Sequence, residues 1–107
     1  LTPNEKSLTK ARYFRSILRV ARRADETLSI RILSSLINEN TTDGVPDDVL
    51  RAENAAVDAF RKLTKGLETR DGMAATGWNN ACFAVSRWLD SVNECSSAGI
   101  AQKALPL

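Results

Sequence analysis

The sequence predicts an all-α protein, an antiparallel four-helix bundle in a single domain spanning residues 1–107. Three observations lead there. Apolar residues recur at steps of three and four along four separate stretches, the period of a helix with one buried stripe. Alternation of the kind a half-buried strand needs never lasts beyond a few residues. Finally, 107 residues suffice for one core and short connections but not for two. The alternative arrangement is a three-helix bundle with one long first helix.

The first helix is expected over residues 3–23. Thr2 can cap it, Pro3 sits where a missing N–H costs nothing, and Glu5 can close a capping box. Tyr13, Phe14, Ile17, Val20 and Ala24 read as its core stripe. Arg12, Arg15, Arg19, Arg22 and Arg23 form a second stripe, centred roughly 155° away at about 100° per residue. Continued to residue 38, this helix would be roughly 54 Å long, too long for a compact domain of this size. The apolar phase also shifts after Ala24, to Leu28, Ile32, Leu33, Leu36 and Ile37. A second helix over 25–38 is therefore expected, with Asp25 as its cap and Glu26 in its first turn.

Asn38 to Pro46 gathers Asn, Thr, Asp, Gly and Pro and reads as a loop. Pro46 opens a third helix over 46–70, and Asp47 and Asp48 complement the positive end of its dipole. Val49, Ala56, Phe60, Leu63 and Leu67 mark its buried face, flanked by Leu50 and Val57. Gly72 and Gly77 punctuate the next connection. The fourth helix, over 74–95, carries Trp78, Ala81, Cys82, Val85, Trp88, Leu89 and Val92 on one face. Ser96-Ser97-Ala98-Gly99 is expected to end it, leaving residues 96–107 as a tail whose Pro106 opposes further helix.

Enzymatic chemistry finds little to work with. The chain has no histidine, which removes His-based triads, imidazole bases and His-containing zinc sites. Ser34 and Ser35 have no SxxK-type partner, and Gly72 and Gly77 are not followed by the GK[ST] of a phosphate loop. Asp47 and Asp48 read as dipole complements rather than metal ligands. No catalytic residue, metal or cofactor is expected. Cys82 and Cys95 lie 13 residues apart, about 20 Å along a continuous helix, so two separate thiols are expected. Cys82, on the apolar stripe, reads as packed; Cys95 reads as the more exposed.

Charge placement is the feature that stands out. There are 15 Lys+Arg and 13 Asp+Glu, a net charge of only +2. Residues 1–23 nevertheless hold seven cations against Glu5, so the rest of the chain is net acidic. Between Lys6 and Arg23 there is no acid at all. Arginine is favoured where planar, bidentate contacts to carboxylate or phosphate are made. Lys6, Lys10, Arg12, Arg15, Arg19, Arg22 and Arg23 are thus the candidate partner-binding residues, presented to the acidic surface of a larger protein complex.

The start Leu1-Thr2-Pro3-Asn4-Glu5, the basic first helix from Lys6 to Arg23 and the four apolar stripes together resemble the four-helix extrinsic proteins of photosystem II, PsbQ-like and diatom-type. The resemblance is one of architecture over nearly the whole chain. It implies a mature protein freed of its targeting peptide, located in the thylakoid lumen and docked on the photosystem II core. There it would help retain the ions of water oxidation without being a catalyst. Two other readings compete. An arginine-rich helix can follow a phosphate backbone, although an aromatic content of 6% offers few stacking platforms. A small secreted helical protein acting on a host protein is the other. Contact with a membrane is expected to be peripheral at most.

Overall fold

Four helices account for most of the chain: α1 (Pro3–Arg23), α2 (Glu26–Ile37), α3 (Asp47–Thr69) and α4 (Ala74–Ala104). The structure, a computed structural model, describes residues 1–38 and 40–104, with side chains as far as Cys95. No strand occurs among the described residues.

Local chemistry sets the boundaries. The Thr2 side chain accepts from the backbone N–H of Glu5 (3.2 Å), and Pro3 occupies the first helical position. The break expected after Ala24 is present, which removes the three-helix alternative. Ala24 and Asp25 are both extended, and Asp25 caps α2 by accepting from Leu28 N–H (2.9 Å). The buried Ser29 hydroxyl then donates to the carbonyls of Ala21 and Asp25, stitching the two helices at the corner. Pro46 precedes α3 rather than opening it, and Asp47 and Asp48 fill the first turn. Arg70 ends α3 in the left-handed region at φ 51, and Gly72 continues the turn at φ 79.

Each helix packs on its sequence neighbours, and α4 returns to close the bundle against α1. Neighbours run antiparallel. Arg70, at the end of α3, pairs with Glu26 at the start of α2 (3.5 Å), and Gly77 near the start of α4 lies against Leu63 near the end of α3. Gly77 is therefore a helical residue and not the connection element expected of it. A methyl group there would come within 3.0 Å of Leu63 Cδ1, so glycine sets how closely α3 and α4 approach.

The centre of the core is aromatic. Phe14, Phe60 and Trp88 are fully buried, with Phe14 edge-on to Trp88 at 5.3 Å and tilted against Phe60 at 5.2 Å. Such pairs add about 0.5–1.5 kcal/mol each beyond their burial. The expected apolar face of α3 is buried, with Glu53 and Thr64 added to it; on α4, Ala81, Val85, Trp88, Leu89 and Val92 are buried and Trp78 and Cys82 half-buried.

On α2, Leu33 and Leu36 of the expected stripe are buried, but Leu28 is 45% exposed and Ser29 is buried in its place. Two expectations for α1 and α4 also need correction. The buried face of α1 consists of Ser7, Ala11, Phe14, Leu18 and Ala21, while Tyr13 and Val20 are 51% and 56% exposed. Ser7, Ala11 and Ala21 share that face with Phe14 and Leu18, while Tyr13, Ile17 and Val20 lie on the flank. Secondly, α4 does not stop at Cys95 but continues to Ala104. A single helical glycine costs about 1 kcal/mol, which Ala98, Ala101 and Ala104 offset as strong helix formers. Residues 105–107, the end of the expected tail, lie outside the described residues.

Candidate docking face on helix α1

A helix repeats about every 100°, so the residues α1 turns inward decide where its charges emerge. From the centre of its buried face, the five arginines leave about 110° round, as a flank rather than the opposite side. Arg12, Arg15, Arg19, Arg22 and Arg23 are all exposed. Among the described residues, none of them forms an ion pair or a side-chain hydrogen bond. Arg12, Arg15, Arg19 and Arg22 follow one another at three- and four-residue steps, so their guanidinium groups share one ridge about 15 Å long.

The two lysines do not belong to that ridge. Lys6 is exposed but emerges about 150° from the arginine centre. Lys10 is turned inward, its side chain only 13% exposed, and serves the fold. Its ammonium donates to the Asn40 carbonyl and lies 3.6 Å from Oε2 of Glu53. Of the seven candidate cations, the structure thus gathers five, places Lys6 on another flank and commits Lys10 to an internal pair.

That pair opens onto a buried polar network unforeseen from the sequence. Glu53 on α3 is completely buried. The Ser7 hydroxyl donates to its Oε1 (3.1 Å), the Thr42 hydroxyl to the same oxygen (2.8 Å) and the Thr42 backbone N–H to Oε2 (2.7 Å). The Ser7 oxygen in turn accepts from the indole N–H of Trp88 (2.9 Å). An indole N–H can only donate, so the direction of the relay is fixed: Trp88 to Ser7 to Glu53. One carboxylate therefore ties α1, α3, α4 and the α2–α3 loop together. A signal for it existed. Glu53 stands four residues after Val49 and three before Ala56, on the buried stripe of α3, as Ser7 stands on that of α1.

Other chemistry-bearing groups are scattered. Cys82 and Cys95 are free and both half-buried, on one unbroken helix; the expected contrast in their exposure is not seen. Among the described residues, no group of three or more Cys, Asp and Glu is placed to hold a metal ion. Two open hollows, of about 800 and 250 Å³, lie between α3 and α4. The larger runs past Ala52, Ala55 and Phe83, and the Arg87 guanidinium sits 5.8 Å over the exposed Phe83 ring. Neither hollow includes the arginine ridge.

No known protein family, curated protein or solved structure matches this chain. No described helix is long and apolar enough to cross a membrane.

Proposed function

We propose that the protein is a non-catalytic docking subunit whose first helix lays an arginine ridge on an acidic surface of a larger assembly. The observation that carries this reading is the set of five exposed arginines with no intramolecular acid partner among the described residues. Guanidinium groups with no acid partner among the described residues are available for bidentate contacts elsewhere. The bundle behind them fixes the backbone of the ridge, so the ordering cost on binding falls mainly on the arginine side chains, about 0.5–1.5 kcal/mol for each one immobilised. In the reading suggested by the PsbQ-like resemblance, the assembly is photosystem II, the acidic surface faces the thylakoid lumen, and the subunit stabilises the site of water oxidation.

The test is rebinding of the purified protein to salt-washed photosystem II particles across a range of ionic strength. Binding should weaken steadily with salt, because the ridge acts through charges screened within about 8–10 Å at ordinary ionic strength. The variant Arg12→Glu/Arg15→Glu/Arg19→Glu should lose at least about tenfold in affinity, roughly 1.4 kcal/mol or more, with its helical content unchanged. Binding that ignores both salt and charge reversal overturns the docking reading. Micromolar affinity for generic duplex DNA at low salt, without binding to the particles, replaces it with nucleic-acid recognition.

A further inference from the structure

The arginine ridge leaves another part of α1 unexplained. Lys6, Tyr13 and Val20 follow at seven-residue steps and so lie along one line of the helix, about 130° from the arginine centre. Tyr13 and Val20 are 51% and 56% exposed. Half-buried Ile17 lies beside them, about 40° round the helix from Ala21, whose carbonyl accepts from Ser29 of α2. Across the seam, α2 adds Leu28, 45% exposed, and beyond it the exposed Arg31. The strip is thus apolar along its middle and cationic at its edges. The acids nearest the α1–α2 corner are occupied, Asp25 in capping α2 and Glu26 in pairing with Arg70.

We propose that this outer strip of the α1–α2 hairpin binds an anionic lipid surface, with Tyr13, Val20 and Leu28 entering the headgroup region and Lys6 and Arg31 meeting lipid phosphates or other anionic headgroups. Charge complementarity selects the occupant. A second copy of the chain would bring the same patch to a two-fold contact, and among the described residues that patch holds cations but no free acid to meet them. An anionic bilayer instead supplies negative charge at the rim and an apolar layer beneath it, the combination that interfacial helices exploit. Tyrosine suits this boundary, its ring apolar and its hydroxyl wet. Attachment of this kind is peripheral and reversible, and it leaves the arginine ridge, on a different flank, free for a protein partner.

Co-sedimentation of the full chain with vesicles tests this. The two samples are phosphatidylcholine alone, and phosphatidylcholine with phosphatidylglycerol as a third of the lipid, each at low and ordinary ionic strength. Binding should appear on the anionic vesicles and not on the neutral ones. Tyr13→Ser/Val20→Ser/Leu28→Ser should reduce it about tenfold. Its circular dichroism should stay unchanged, since all three residues are about half exposed and none belongs to the buried core. Lys6→Ser/Arg31→Ser, which alters no apolar residue, should reduce it too. Absence of binding to anionic vesicles overturns the proposal, as does binding that the apolar triple variant leaves at the wild-type level. Loss of an acidic protein partner by the triple variant, with no vesicle binding by the wild type, reassigns the strip to protein contact and equally overturns it. Vesicle binding carried by Arg12, Arg15 and Arg19 would survive the apolar triple variant, so failure here is distinguishable from failure of the docking reading.

Discussion

The buried carboxylate of Glu53 links α3 to α1, to the α2–α3 loop and, through Ser7, to α4. All the groups that meet the Glu53 oxygens are donors: a lysine ammonium, two hydroxyls and a backbone N–H. A carboxylate accepts at both oxygens and suits them; an amide would point its NH₂ at one of them. Glu53→Ala should cost about 3–5 kcal/mol, because it strands the Lys10 charge and leaves Ser7 and Thr42 unsatisfied. Ser7→Ala should cost less, about 1–3 kcal/mol, since it removes one donor to Glu53 and the acceptor of the Trp88 indole. Urea denaturation of both variants beside the wild type checks the order; equal midpoints for all three would refute it. This network was hidden because glutamate in a helical pattern reads as surface. Its partners Ser7 and Thr42 are 46 and 11 residues away in sequence. Only the position of Glu53 on the apolar stripe gave any sign of it.

At the scale of the helices, the boundaries were legible because capping chemistry is local. Thr2-Pro3, Asp25 and Pro46-Asp47-Asp48 each carry their meaning within four residues. Which face of α1 is buried was not legible. Tyr13, Ile17 and Val20 form a real apolar line, but it lies on a flank, and the face that packs inward sets Phe14 and Leu18 among the small residues Ser7, Ala11 and Ala21. Small residues carry little weight in a hydrophobic pattern yet permit the closest approach of helices. The correction also moves the arginines from the far side of α1 to a flank, and separates them from Lys6 and Lys10. The continuity of α4 has a chemical consequence. Cys82 and Cys95 sit on it about 20 Å apart, well beyond the roughly 7 Å between Cα atoms that a disulfide tolerates. Mild oxidation of the dilute monomer should leave both thiols titratable, or yield linked dimers, but no internal bridge. Intact-mass measurement of the monomer, showing no loss of two hydrogens, checks this.

For the whole molecule the question is whether docking follows net charge or its placement. A net charge of +2 is too small to steer a partner by itself. The α1 ridge concentrates five cations on one flank, whereas the cations of α3 are interspersed with acids, as in the Lys62–Asp58 pair at 3.1 Å. Two triple variants separate the possibilities. Arg12→Glu/Arg15→Glu/Arg19→Glu and Arg61→Glu/Lys62→Glu/Lys65→Glu both take the formal charge from +2 to −4. All six side chains belong to exposed residues, so neither variant should disturb the core. If placement governs, the first should slow association with the acidic assembly by about tenfold or more at low salt, and should flatten its dependence on ionic strength. The second should stay within a few-fold of the wild type. Stopped-flow association rates at several salt concentrations decide between them. Equal losses in the two variants would mean that α1 is no more than one cationic segment among several, and that the unpaired state of its arginines has no bearing on recognition.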